Sequence, residues 1–308
     1  MNYKRELSKL ITKIENFEKL DSEVLKKIFE REGKAHRIGF TGPPGAGKST
    51  LTDKIASLLA DENKKVGIIA VDPTSPFTGG AILGDRIRME ESSKRGIFIR
   101  SLGSRGGIGG LSRRTYLSSL SMEAFGMDYI IIETVGVGQI DLEIRFVADT
   151  TVVVLTPESG DYIQAMKAGL MEIGDIYVVN KADRPGAEEI KREIEFVLSF
   201  LPYSDWNKRV LLSSGLRGDG IEELKKEIVN HQNYLESTKK KEKIVKERRK
   251  RFLKDFLRDE IWDQIDLLLE KNGLIEKFLA DIELGKSLDD IKKDFYNFLK
   301  KGLDSPLI

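Results

Sequence analysis

Eight residues, Gly42-Pro43-Pro44-Gly45-Ala46-Gly47-Lys48-Ser49, follow the spacing G-x-x-x-x-G-K-[ST] and are suited to holding a chain of phosphates. Glycines let consecutive backbone N–H groups curl around the α- and β-phosphates of a nucleotide. Lys48 then puts a positive charge near the β- and γ-phosphates, and the Ser49 hydroxyl can sit on Mg²⁺. Far downstream, Asn180-Lys181-Ala182-Asp183 selects the base. The Asp183 carboxylate can accept hydrogen bonds from the N1–H and the exocyclic amine of guanine, which adenine does not offer in that arrangement. The stem of Lys181 can lie over the purine, and Asn180 can brace the loops. Together the two patterns predict a site for GTP/GDP with Mg²⁺.

Between these anchors stand acidic residues that could organise metal and water. Asp72 closes an apolar run and precedes Pro73. From there it can act through a metal-bound water or orient the attacking water, the alternative being an Asp that simply opens a turn. Asp85, in Leu83-Gly84-Asp85-Arg86, is a second candidate for the Mg²⁺ shell. Glu133 follows another apolar run and opens Glu133-Thr134-Val135-Gly136-Val137-Gly138-Gln139, the strand-then-carboxylate form of a Walker B element. The Gly136 amide can reach the γ-phosphate because glycine allows close backbone approach. Release of that loop when the phosphate is lost would be the basis of a switch. Gln139 stands too far past the carboxylate to be the preferred water-positioning group.

Ser214-Gly215-Leu216 can offer backbone N–H groups to the guanine O6. Glu158-Ser159-Gly160-Asp161, with Lys167 after it, reads either as a charged loop that a partner presses toward the site or as ordinary helix capping by Asp161. The glycine-rich stretch 103–110 reads as a loop, since it lacks the spacing of a dinucleotide fingerprint. His36 and His231, the only 2 histidines, read as structural.

Strands and helices must position these groups. Residues 37–41 read as a buried strand feeding the phosphate loop, and 49–61 as the helix leaving it, with its N-terminus toward the phosphates. Short β-rich apolar runs recur at 66–71, 97–99, 129–132, 151–155, 176–179 and 210–212, separated mostly by helical stretches. This predicts an α/β fold of the P-loop NTPase kind, a doubly wound and largely parallel sheet with its ligand at the strands' C-terminal ends. Ahead of it, Leu7, Leu10, Ile11, Ile14 and Phe17 recur at helical spacing, and Asp21 caps a second helix. The expected division is a helical extension over 1–35, a nucleotide domain over 36–232 and a helical arm over 233–308, the expected dimerisation element. In the arm, the lysine- and arginine-rich stretch 239–251 reads as a solvated helix or linker, or as a patch for an anionic partner. The stripe Phe252, Phe256, Leu257, Ile261, Trp262, Ile265, Leu268 and Leu269 needs a surface to bury it, either the nucleotide domain or a second protomer.

Over 308 residues, 51 Lys+Arg balance 50 Asp+Glu, so global charge gives no argument for nucleic acid or a membrane as partner. The absence of cysteine excludes disulfides and thiolate metal sites. With neither an apolar N-terminal core nor a run of membrane-spanning length, a soluble cytoplasmic protein is expected.

Taken together these residues resemble the MeaB/ArgK GTPases, the family that includes the human methylmalonic aciduria type A protein. The likeness lies in Gly42-Pro43-Pro44-Gly45-Ala46-Gly47-Lys48-Ser49-Thr50, Ala70-Val71-Asp72-Pro73-Thr74-Ser75-Pro76, Thr78-Gly79-Gly80 and Leu83-Gly84-Asp85-Arg86 with Arg88-Met89. It continues through the motif from Glu133 to Gln139, Gly169-Leu170-Met171-Glu172-Ile173 and Asn180-Lys181-Ala182-Asp183. The resemblance implies a GTP hydrolase that acts as chaperone for an adenosylcobalamin-dependent acyl-CoA mutase of the methylmalonyl-CoA mutase type. GTP binding and hydrolysis would be coupled to cofactor loading and to protection or reactivation of the mutase. It further implies a homodimer joined through the C-terminal arm, and Lys167 as the group that swings in to accelerate hydrolysis. The chain departs from many relatives at Pro157-Glu158-Ser159-Gly160, where they are glycine-rich, and at Gly215, where alanine is common. With no arginine finger or well-placed glutamine in cis, intrinsic turnover should be slow. The rivals are a kinase of the arginine/ornithine (LAO/AO) transport type and a metallochaperone GTPase. The lack of cysteine and the separated histidines weigh against the second.

Overall fold

The alternation of apolar runs and helical stretches becomes, in a computed structural model, one sheet wrapped by helices. The structure describes residues 2–16, 18, 20–73, 89–104, 110–134, 136, 139–158 and 169–303. Helices α1 (Asn2–Glu15) and α2 (Ser22–Glu30) lead into β1 (His36–Thr41), followed by α3 (Lys48–Asp61), β2 (Val66–Pro73), α4 (Glu90–Lys94) and β3 (Phe98–Ser104). Next come α5 (Gly110–Ala124), β4 (Tyr129–Glu133), α6 (Gln139–Glu143), a 3-10 turn at Ile144–Phe146 and β5 (Thr150–Leu155). Then follow α7 (Leu170–Ile173), β6 (Ile176–Val179), α8 (Ala187–Leu198), β7 (Arg209–Leu212) and α9 (Ile221–Ser237). The chain continues through α10 (Lys240–Lys271), α11 (Leu274–Glu283) and α12 (Leu288–Leu303).

The seven strands pair in the order β3-β2-β4-β1-β5-β6-β7, and every pairing is parallel. Strands β1, β4, β5 and β6 are buried along their whole length, as Val/Ile-rich strands covered on both faces must be. One face packs Ile38, Phe40, Leu51, Ile55, Ile131, Val152 and Val178 into a single core. On α1, Leu7, Ile11 and Ile14 are buried, and α1 and α2 both pack on α5. Asp21 caps α2 as expected, accepting from the Glu23 N–H at 2.8 Å. Phe17 lies outside the described residues.

The glycine-rich stretch departs from the expected loop at both ends. Gly103 and Ser104 extend β3 because they pair with Asp72 and Pro73 of β2, and Gly110 is already the first residue of α5. A neighbouring strand of full length draws these residues into the ladder despite their low strand propensity. Its middle, 105–109, lies outside the described residues.

The chain divides into two compact units, Met1–Lys250 and Arg251–Ile308. The second holds the rest of α10 with α11 and α12, where Lys286 bridges Asp281 at 2.8 Å and Asp294 at 2.6 Å. Leu253, Leu257, Ile261 and Trp262 are exposed on it. The basic stretch 239–251 is helical from Lys240 on but not uniformly solvated, since Lys241 and Arg248 of the first unit, seven residues apart and so on one helix face, are both buried. No described helix is long and apolar enough to cross a membrane.

Both histidines sit near the N-terminal edge of the sheet, bonded to one hydroxyl. His36 Nε2 lies 2.8 Å and His231 Nδ1 2.7 Å from Thr150 Oγ1. One hydroxyl has a single proton, so it donates to one ring and accepts from the other. His36 Nδ1 is buried without a partner, so the arrangement that strands no N–H puts the His36 proton on Nε2. That proton is donated to Thr150, and Thr150 donates to His231. Burial lowers His36 to about 4 and His231 to about 3. Burial also pushes the Asp175 carboxyl, which faces His231 at 3.7 Å, up to about 7.

These shifts oppose one another in sign. The lowered histidines contribute stability that is full above their ordinary value and lost as pH falls toward 4. The raised Asp175 contributes stability that is full below its ordinary value and lost as pH rises toward 7. Between those limits two histidines outweigh one carboxyl, so stability should rise with pH by about 1.4 kcal/mol per unit from this cluster. Asp175→Asn keeps the acceptor for the Thr151 N–H, 2.8 Å away, while removing the opposing titration. The slope of urea-unfolding free energy between about pH 4.5 and 6.5 is therefore expected to be steeper in the variant; an unchanged slope would contradict this account.

Candidate functional site

The site is built where β1 ends and the sheet order reverses around it, at the strands' C-terminal edge. After Thr41 the chain loops through Gly42, Pro43, Pro44, Gly45 and Ala46 and enters α3 at Lys48, so the loop's amides and the helix N-terminus converge. Gly47 has φ 89, and a Cβ there would fall 2.2 Å from Asn180 Nδ2, so only glycine lets the two motifs approach. The Lys48 ammonium is buried and donates to Gly42 O at 2.7 Å and Pro43 O at 2.9 Å, curled back over its own loop. Thr50 stands in the first turn of α3, and a Cβ added to Gly215 would fall 3.0 Å from its Cγ2.

Next to this loop, Ser49 Oγ donates to Glu133 Oε1 at 2.5 Å. Glu133 ends β4, level with Phe40 of β1 and Ala70 of β2, and is nearly buried. A hydroxyl and a carboxylate side by side are the hard oxygen donors that Mg²⁺ takes. Among the described residues there is no cluster of three metal-ligating side chains, and Mg²⁺ ordinarily completes its shell with water and substrate phosphate. The donor set therefore fits a nucleotide-bound Mg²⁺.

Asn180 ties the base end to the phosphate end. Its Nδ2 donates to Ala46 O at 2.8 Å, and its Oδ1 accepts from the Gly215 N–H at 3.0 Å and the Ser213 hydroxyl at 3.2 Å. Asp183 is exposed, and the Ser214 hydroxyl donating to it at 2.7 Å holds its carboxyl below the usual range. Lys181 has φ 58 and rests 3.3 Å from Glu158, which also pairs with Arg184. Of the three amides expected to meet the base, Ser214's donates to Asp219 O at 3.0 Å and Gly215's to Asn180. The Leu216 side chain points out to solvent.

The structure thus gathers the phosphate loop, Ser49, Glu133 and Gly136 at one end and Asn180, Lys181, Asp183 and Ser214 at the other. Asp72 lies in β2 beside Gly103. Its side chain, that of Gln139, and all of Asp85, Ser159 to Asp161 and Lys167 fall outside the described residues.

One residue absent from the sequence-level candidates sits inside this assembly. Asp141 of α6 is buried and accepts from the Thr134 hydroxyl at 2.5 Å, the Gly136 N–H at 3.0 Å and the Thr41 hydroxyl at 3.3 Å. The only sequence signal is a carboxylate between Ile140 and Leu142, which fits no spacing pattern.

The family model described as methylmalonyl-CoA mutase-associated GTPase MeaB matches residues 7–268. A Pyrococcus horikoshii protein named as a GTPase is 49% identical over 243 residues, 77% of this chain and 76% of that one. The mitochondrial methylmalonic aciduria type A homolog of Caenorhabditis elegans is 33% identical over 267 residues, 84% of this chain and 67% of that one. Among solved structures, a LAO/AO transport system kinase superposes with a TM-score of 0.70 at 27% identity, covering 96% of this chain and 93% of the other.

Proposed function

The chain belongs to the family of methylmalonyl-CoA mutase-associated GTPases MeaB, and from that membership we propose that it serves as a nucleotide-driven chaperone of an adenosylcobalamin-dependent acyl-CoA mutase. The observation that best supports a working GTPase site is the joint held by Asn180, whose two bonding atoms tie the guanine-reading loops to the phosphate loop. Binding the base then sets the phosphates, because both ends share one rigid brace.

The reaction is attack of water on the γ-phosphate of GTP. Backbone amides of the phosphate loop hold the α- and β-phosphates, and Lys48 turns from the Gly42 and Pro43 carbonyls to neutralise the charge that develops at the β- and γ-phosphates. Ser49 and Glu133 would hold Mg²⁺, with Asp72 and Asp85 as further carboxylates of its shell. Such an ion supplies charge neutralisation across the β- and γ-phosphates. Asp183 reads the guanine N1–H and amine, and the Leu216 amide is the one left to meet O6. Lys167 is the group assigned to acceleration when a partner presses on its loop. The exposed Leu253, Leu257, Ile261 and Trp262 support a homodimer joined through the C-terminal unit.

The test is phosphate release from γ-labelled Mg²⁺–GTP, with and without a cobalamin-dependent mutase from the same source, with ATP and Lys48→Ala as controls. A slow GTP-specific rate that the mutase raises, and that vanishes in the variant, is the expected result. No effect of the mutase on rate or nucleotide affinity would remove the chaperone reading. Label transferred to a protein rather than released would support a kinase, the activity for which the superposed transport-system protein is named.

A further inference from the structure

The Gly136 N–H, the amide expected to meet the γ-phosphate, is already bonded to a carboxylate. It donates to Asp141 Oδ1 at 3.0 Å, five residues on in the same chain. Gly136 itself lies at the phosphate end of the site. With φ 90, a Cβ on it would fall 2.2 Å from Gly42 O and 2.8 Å from Lys48 Nζ. Gly136 is thus packed so closely on the phosphate loop and Lys48 that no side chain fits there, yet its amide proton points to a protein oxygen.

We propose that Asp141 is a positioning residue that competes with the γ-phosphate for the Gly136 amide and so sets the preference between GTP and GDP. The inference rests on the GTPase reading of this site and adds a determinant to it. One N–H has one proton, so Gly136 cannot serve both acceptors at full strength. A carboxylate oxygen resembles a phosphate oxygen in charge and acceptor character, which makes Asp141 an internal stand-in for the group that only GTP brings.

Its surroundings keep the stand-in poised. The Thr134 hydroxyl donates to the same Oδ1 at 2.5 Å and the Thr41 hydroxyl at 3.3 Å. Thr134 adjoins Glu133, and Thr41 ends the strand that feeds the phosphate loop. Both hydroxyls can keep the carboxylate satisfied after Gly136 leaves it, so exchange of the amide strands no buried charge. GDP lacks the γ-phosphate and leaves the Gly136–Asp141 bond intact. GTP must break it, and its affinity is reduced by that competition.

The experiment measures dissociation constants of a fluorescent GDP and a fluorescent non-hydrolysable GTP analogue, with Mg²⁺, on the full chain and on Asp141→Ala and Asp141→Asn, with thermal unfolding run in parallel. For Asp141→Ala the affinity for the GTP analogue is expected to rise about tenfold relative to GDP. Asp141→Asn retains a weaker, neutral acceptor and should fall between the parent and the alanine variant. Equal losses of both affinities, or an unchanged ratio, would mean that Asp141 only supports the floor of the site and would overturn the proposal. Asparagine and alanine variants with the same raised ratio would overturn it too, by assigning the effect to charge repulsion rather than to competition for the amide. If the parent protein binds neither nucleotide, the GTPase reading fails first and takes this inference with it.

Discussion

Asp183→Asn is expected to weaken GTP binding on the order of 10⁴-fold and to create binding of xanthosine triphosphate in its place. The carboxylate can accept from both the N1–H and the 2-amino group of guanine. An asparagine offers one oxygen for N1–H but turns its own N–H toward the amine, donor against donor, and the bond is lost together with the charge that strengthened it. Xanthine carries a carbonyl at that position, which the new amide N–H can meet. Nothing else in the pocket needs to change. The Ser214 hydroxyl that now donates to Asp183 at 2.7 Å can donate to the asparagine oxygen, and Asn180 still braces Ala46 and Gly215. Asp183 is exposed, so thermal stability should be nearly unaltered, which separates a binding effect from a folding one. Competition binding with both triphosphates checks it, and a loss of only a few-fold in GTP affinity would mean that the base is read elsewhere.

What was legible in the sequence was local. The phosphate loop and the Asn180 motif are contiguous strings whose chemistry depends on neighbours in the chain, and the apolar runs that became β1, β4, β5 and β6 announce buried parallel strands directly. Strand order was not legible, because the crossovers that place β4 between β2 and β1 depend on packing between distant segments. The same limit hid Asp141. Gln139, two residues earlier, is the polar group the motif displays, whereas the residue that engages Gly136 is a carboxylate whose partners are Thr41, at the end of β1, and Thr134, just past the end of β4. His36, Thr150 and His231 likewise meet only in three dimensions. Composition misled in one place. A stretch of lysines and arginines signals solvent, yet Lys241 and Arg248 are buried, and for Arg248 the reason is an acid buried about a hundred residues away.

That acid is Asp149, and the largest stability effect is expected where Arg248 reaches it. Arg248 Nη2 lies 2.7 Å from Asp149 Oδ1 and donates also to Ala148 O at 3.0 Å, with both charged side chains essentially buried. Burial alone would raise the Asp149 carboxyl, but the attractions of Arg248 and then Arg37 outweigh it and hold the group well below the usual range. Arg248→Ala would leave that charge with the Arg37 main-chain N–H at 2.8 Å and with a guanidinium already paired to buried Glu123 at 2.5 Å. Breaking one side of a buried pair costs about 3–5 kcal/mol, a large share of the roughly 5–15 kcal/mol that holds a domain folded. A carboxyl held low contributes stability above its ordinary pKa and loses it in acid. The deficit of the variant should therefore be greatest near neutrality and shrink as pH falls below about 4. Arg248→Met with Asp149→Asn removes both charges and should recover much of the loss, since an apolar or neutral replacement of a buried pair is often tolerated. Denaturant unfolding of the three proteins decides the matter. Asp149 sits just before β5, near the N-terminal end of β1, whereas the phosphate loop leaves the C-terminal end of that strand. Nucleotide affinity of the folded variant should therefore be unchanged. A loss below about 1 kcal/mol would put Arg248 among salt bridges of surface strength and make the first turns of α10 an attachment to the sheet rather than part of what folds it.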